Sequence, residues 1–403
     1  MVQLAEKQST RKTTGITKIR INIRKMRKIF LSLGLIVSVS VFAQEKENVV
    51  ENIVQKSNLH LLLRNSLEIP FAEGEQAGYK LNEARMDLKG EIVENLKYRV
   101  RYRLNRSQSP RAIDNAPASL DYAELEYTFG ANKQWAIDLG KQANDFGNWE
   151  FEKNPTFEYV YSDYINSQQN LFMLGSTLSY KADANNTLKL QAYNAMSQTF
   201  SELYANTKYD TNGLKAAKFP LGFNLIWRGD LLDKKWQTYY SVGWSSVAKN
   251  KTNYNVSIGN KLILNQFEAY LDLHHTSAAV DFSNSISSAL NAYRNTNIFA
   301  EKVQYQSAVL RLDYALTPQW YITGKTIWER VNDSSENGLG TALSSHNTNM
   351  IGLEYKPFAS QDFKIFGYFS NTNRYYKEAL KQLTPNSHAN IVGVGMLYYL
   401  KAF

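Results

Sequence analysis

The feature that most constrains this chain is a two-residue alternation that recurs from about residue 59 to the C-terminus. Leu96, Tyr98, Val100, Tyr102 and Leu104 alternate with Lys97, Arg99, Arg101 and Arg103. Phe219, Leu221, Phe223, Leu225 and Trp227 alternate with Lys218, Gly222, Asn224 and Arg228. Phe267, Ala269, Leu271 and Leu273 alternate with Glu268, Tyr270, Asp272 and His274. Successive strand side chains point to opposite faces, so each segment has one apolar, aromatic face and one polar face. The pattern predicts sixteen strands, near 60–69, 79–90, 95–106, 119–129, 134–142, 170–181, 186–194, 218–228, 235–248, 251–263, 265–275, 303–316, 319–331, 346–356, 361–370 and 389–403.

The connections alternate in length. Short links such as Glu91–Glu94, Gly130–Lys133, Ala182–Asn185 and Thr317–Pro318 take turns with long ones such as 107–118, 143–169, 195–217 and 276–302. The tight link near Lys249–Asn250 is the exception. Short turns at one end and long loops at the other describe an outer-membrane barrel. Prolines fall in or beside connections, as strand ladders require. Trp135, Trp227, Trp236 and Trp320 sit beside short turns, where amphipathic rings would form a girdle at the headgroup level. Beyond the N-terminal region no run of about 18 apolar residues exists to make a membrane helix. The expected fold is all-β: a 16-stranded antiparallel transmembrane β-barrel over residues 59–403, with short periplasmic turns and long extracellular loops.

Charge also follows from position. Nine of the 46 Lys and Arg and one of the 37 acids lie in residues 1–28, which leaves 37 basic against 36 acidic residues. The basic excess is therefore an N-terminal matter and no sign of a nucleic-acid partner. Met26-Arg27-Lys28 precedes the uncharged run Ile29–Ala43, the pattern of a secretory signal peptide cleaved near Ala43. Residues 1–25 then read as an over-extended start or basic n-region, 26–43 as the signal, and 44–58 as a short periplasmic segment. The chain has no cysteine, which excludes disulfides and a thiol nucleophile. Its last strand closes on Phe403, which looks like the signal read by the barrel assembly machinery.

If the apolar faces meet lipid, the interleaved residues face a water-filled lumen. Lys97, Arg99, Arg101 and Arg103 then form a basic row, joined by Arg85, Lys89 and Lys141. Glu83, Asp87, Glu124 and Glu126 stand among them. Guanidinium groups bind phosphate and carboxylate bidentately, and a row of weak sites can pass an anion along. The long connection 143–169 is acidic and aromatic. Folded inward it would bring Asp145, Glu150, Glu152, Glu158 and Asp163 to a constriction and oppose anions.

The segment from Asn82-Glu83-Ala84-Arg85 through Leu88-Lys89-Gly90 to Tyr98-Arg99-Val100-Arg101-Tyr102-Arg103 resembles a known family. So do Leu120-Asp121-Tyr122-Ala123-Glu124, Leu139-Gly140-Lys141-Gln142, Gly147 and Glu150. These are similar to the phosphate-selective porin O and P family, particularly its Bacteroidetes members. The match is specific over residues 79–150 and rests on strand pattern beyond about 180. The resemblance implies a 16-stranded barrel, commonly a homotrimer, with an inward third loop and a basic lumen ladder.

The leading functional expectation is a passive channel for small hydrophilic solutes, with a possible anion or phosphate preference and no cofactor or metal. A substrate-specific porin for organic acids or oligosaccharides is the alternative, as is a non-conducting adhesin or structural barrel. An enzyme is not expected: no GxSxG or HExxH occurs, and the adjacent His274 and His275 point to opposite faces.

Overall fold

A computed structural model describes residues 55–72, 74–110, 113–153, 158–283, 286–335 and 338–402. The expected signal peptide, its cleavage site and Phe403 lie outside the described residues. Sixteen antiparallel strands close into one barrel in which every strand pairs with its sequence neighbours and β1 with β16. In order they are β1 (Ser57–Pro70), β2 (Gly78–Val93), β3 (Leu96–Arg103), β4 (Leu120–Phe129), β5 (Trp135–Ala143), β6 (Phe172–Lys181), β7 (Asn186–Asn194) and β8 (Leu221–Leu231). Then follow β9 (Trp236–Ala248), β10 (Lys251–Ile263), β11 (Phe267–Val280), β12 (Glu301–Ala315), β13 (Trp320–Asp333), β14 (Gly340–Tyr355), β15 (Asp362–Tyr376) and β16 (Ser387–Lys401).

Burial runs opposite to that of a soluble sheet. Leu271 and Leu273 are 39% and 41% exposed, while Asp272 and His274 are 0% and 4% exposed. A soluble sandwich would bury the leucines. Here the apolar side chains form the outer belt and the polar ones fill the inside. Closure leaves no sheet edge, so the strand ladders run all the way round the barrel, as a lipid environment demands. At the short-turn end aromatic rings pair across strands, Trp135 with Tyr180 at 4.5 Å and Trp320 with Tyr355 at 4.6 Å between centroids.

Strand ends depart from the alternation where the apolar face stops. β14 begins at Gly340 and β15 runs to Tyr376, each about six residues beyond the sequence expectation. Those extensions carry polar residues on both faces, so only ladder pairing reveals them. The long loops are also more than a solvated fringe. Leu290 of helix α2 (Ser287–Arg294) and Ile286 just before it pack with Leu343 and Leu380, and Met196, Tyr204, Tyr209 and Phe299 form a second cluster.

Candidate functional site

The third loop, between β5 and β6, turns inward and is fastened to the lumen wall by backbone contacts first. Gly147 adopts φ +70°, and a Cβ there would lie 3.0 Å from Tyr239 O and Ser241 N. Glycine thus permits the close approach. Ser241 Oγ donates to Phe146 O at 2.6 Å, and Ser257 Oγ to Gly147 O at 3.1 Å. The Asp272 carboxylate accepts the N–H of Trp149 and of Glu150, each at 2.9 Å, and so caps the short helix α1 (Trp149–Lys153). Farther along, the Glu329 carboxylate accepts the N–H groups of Asp163 and Tyr164 at 2.9 and 3.1 Å.

Charge completes the anchor. Lys325 Nζ, fully buried, lies 2.6 Å from Glu150 and 2.7 Å from Glu158. Arg311 reaches the same Glu158 oxygen, Oε2, at 3.1 Å, and Tyr270 donates to the other, Oε1, at 2.6 Å. Burial alone would raise the Glu158 carboxyl, but Arg311 and Lys325 outweigh it and hold it below its ordinary value. The same balance, with Lys189 at 2.9 Å and Arg228 at 3.2 Å, holds Asp145 low. Asp163 pairs with His346 at 2.6 Å and Arg374 at 3.3 Å. Asp163, Glu329 and His346 bring ligand atoms within 4.8 Å of one another, yet Arg374 already serves the Asp163 carboxylate a metal would need.

The loop acids therefore divide. Glu150 and Glu158, expected at a constriction, are each 0% exposed behind the loop, turned toward buried wall cations. Asp163 lies with His346 and Arg374, apart from the open space described below. Only Asp145 and Glu152 line that space, both held by Arg228. The physical reason is that Lys325 and Arg311 on the wall cannot stay buried without counter-charges.

The opposite wall carries the basic row. Arg101, Arg103 and Arg85 all converge on Asp121, at 3.0, 2.8 and 3.4 Å. Arg85 also pairs with Glu83 at 2.7 Å, and Arg99 binds Asp87 bidentately at 2.9 and 2.7 Å. Arg99 and Arg101 flank the Tyr122 ring, their guanidinium carbons 3.9 and 4.6 Å from its centroid. Lys97 pairs with Glu126 at 2.6 Å, and Lys141 with Asp114. Asp121 had escaped the sequence reading because strict alternation turns it outward. A bulge in β4 opposite Arg101 and Tyr102 breaks the register and turns it in, 1% exposed. Lys189, Arg228, Arg311 and Lys325 were legible as inward positions but gave no sign of which charge they would meet.

Three spaces follow this wall. An outer cavity of about 290 Å³ is lined by Arg103, Arg106, Asp121 and Lys141. A middle cavity of about 320 Å³ holds Arg99, Arg101, Tyr122 and Glu124 on one side and Phe151 and Glu152 of α1 on the other. An inner cavity of about 380 Å³ is lined by Lys89, Lys97, Arg99, Glu124, Glu126 and Asp138, of which Arg99 and the last three also border the middle one.

The family described as phosphate-selective porin O and P is matched by residues 66–400. The chain belongs to that family. It is an outer-membrane porin, and the resemblance read over residues 79–150 extends over nearly the whole barrel. No curated protein is significantly similar to it. Among solved structures, this porin is similar to the outer membrane channel DcaP of Acinetobacter baumannii, at TM-score 0.58 and 11% identity, covering 85% of this chain and 97% of that one. The trimer form of OmpT, an outer membrane protein of Vibrio cholerae, matches at TM-score 0.54 and 12% identity over 85% and 99%. An anion-selective porin from Comamonas acidovorans matches at 0.53 and 9%, again over 85% and 99%. At such identities these likenesses speak for the fold.

Proposed function

We propose that this porin is a passive diffusion channel whose solutes move along the β3 wall, past Arg103, then Arg101 and Arg99, then Lys97. The carrying observation is that these side chains border three consecutive spaces while the third loop occupies the far side of the lumen. Solutes with an anionic group are favoured at the outer cavity, where Arg106 adds its charge to Arg103 on Asp121 and Lys141 on Asp114. The row itself is screened along its length, because Asp87 and Asp121 occupy its guanidinium groups. The preference is thus for anions over cations and falls short of tight phosphate capture. Chemistry on a substrate is not part of this reading: the buried His274 is held by Ser257 at 2.5 Å and stacked on Tyr164 at 3.8 Å. Assembly as a homotrimer, as the Vibrio OmpT form suggests, and export by a signal cleaved near Ala43 belong to the same proposal.

The test is reversal potential in a planar bilayer under a KCl gradient. Steady ohmic steps with an anion-favouring potential are expected. Cation preference would overturn the role of the β3 row, and a folded barrel with no steps would overturn the channel.

A further inference from the structure

The middle cavity holds more acid than an anion path needs. Glu124 stands opposite Arg99, and Asp138 opposite Glu126. The basic groups nearest them are taken: Arg99 by Asp87 at 2.7 Å, Lys97 by Glu126 at 2.6 Å and Lys189 by Asp145 at 2.9 Å. Glu124 and Asp138 themselves form no ion pair among the described residues. One rung above Glu124 are the donors. Arg101 spends its Nε on Asp121, and Gln142, 5% exposed, has an Nε2 without a partner among the described residues. Arg101, Gln142, Glu124 and Asp138 line the same space.

The room between them comes from two glycines. Glu124 faces Gly140, which faces Gly175. A Cβ at Gly140, φ +126°, would fall 2.1 Å from Ala123 O, and one at Gly175 2.3 Å from Ala192 O. No side chain can replace either, so this rung stays clear beside Glu124.

We propose that the middle cavity is a subsite for small zwitterions, amino-carboxylates whose carboxylate meets Arg101 and Gln142 while the ammonium meets Glu124 and Asp138. The inference rests on the diffusion-channel reading and names a solute class for it. One rung is two strand residues, roughly 6.7 Å, which matches an ammonium and a carboxylate separated by a short carbon chain. A simple anion would gain from the donors and lose to the acids. A zwitterion satisfies both. A cavity of about 320 Å³ suits a solute of that size.

The experiment is swelling of liposomes carrying the full-length channel, with 6-aminohexanoate, glycine and a neutral pentose as solutes. The wild type should pass 6-aminohexanoate about threefold faster relative to the pentose than size alone predicts, the scale of one water-exposed charge contact. The ratio should fall to the size-only value in E124Q/D138N and in the single variant E124Q, each checked for folding by its heat-modifiable migration. A wild-type ratio set by size alone overturns the proposal, as does a ratio that survives E124Q/D138N. Block of KCl current by calcium ion, relieved in E124Q/D138N without any zwitterion effect, would make this a cation site and overturn it too. Single-channel steps recorded on the same preparations separate these results from failure of the channel reading, which shows as no conductance at all.

Discussion

Replacing Lys325 by methionine keeps the length of the side chain and removes the charge that docks the third loop. In the native barrel Lys325 Nζ contacts Glu150, Glu158 and the carbonyl of Val160, at 2.6, 2.7 and 2.8 Å, with no exposure. Without it Glu150 keeps only its Ser162 contacts among the described residues, and Glu158 keeps Arg311, which Asp313 already holds at 2.9 Å. Breaking a buried pair by removing one partner costs about 3–5 kcal/mol. The loop keeps its caps on the Asp272 and Glu329 carboxylates, each such contact contributing about 1.5–3 kcal/mol. The docked state should therefore weaken by roughly 10²–10⁴-fold against an undocked one. The assay is single-channel recording beside thermal unfolding of the detergent-solubilised barrel. Lys325→Met should give larger, noisier steps and an earlier transition. Adding Glu150→Gln leaves Glu158 with Arg311 and should recover more than half of the loss, an interaction that a double-mutant cycle measures directly. Unchanged conductance, noise and transition in Lys325→Met would refute the view that this charge cluster holds the loop.

Three further outcomes are expected. Asp121→Asn removes the carboxylate shared by Arg85, Arg101 and Arg103, so the reversal potential in a KCl gradient should move further toward anions; no movement would mean that solutes do not pass these arginines. A cysteine at Arg101 should react with a water-soluble thiol reagent, because Arg101 lines the middle cavity, whereas one at Tyr102 should react poorly; the reverse labelling would place β3 in the wrong register. Glu158 and Asp145 are both depressed in the folded protein, so the stability they contribute is complete above the ordinary carboxylate range and is lost as pH falls through their lower folded values. Loop-opening noise from the loss of these two pairs should then rise only below about pH 4, whereas such noise already rising near pH 6 would contradict the pairing.

The all-β class, the strand number and the lumenal side of each strand were legible in the sequence because the physics is local. A strand between lipid and water must alternate, and Leu271 and Asp272 carry that instruction in adjacent positions. The resemblance over residues 79–150 named the right family for the same reason: the β2–β4 residues and Gly140 sit in consecutive, neighbouring elements. The inward course of the third loop was implied by the resemblance, while the unpatterned acidic connection by itself left an exposed loop equally open.

What only the tertiary structure decided is where each charge goes. Glu150 and Glu158 look like constriction acids in the sequence, but they find Lys325 and Arg311 more than 150 residues away and disappear behind the loop. Asp121 looks like an outward residue until the β4 bulge turns it to serve three arginines. Glu124 stands opposite Arg99 on β3, yet Arg99 turns back to Asp87 and leaves Glu124 facing open space. Alternation assigns a face, and it does so residue by residue. Pairing depends on the curvature of the closed sheet and on a loop returning across the lumen, so the charges that a solute meets are set by contacts no stretch of sequence contains.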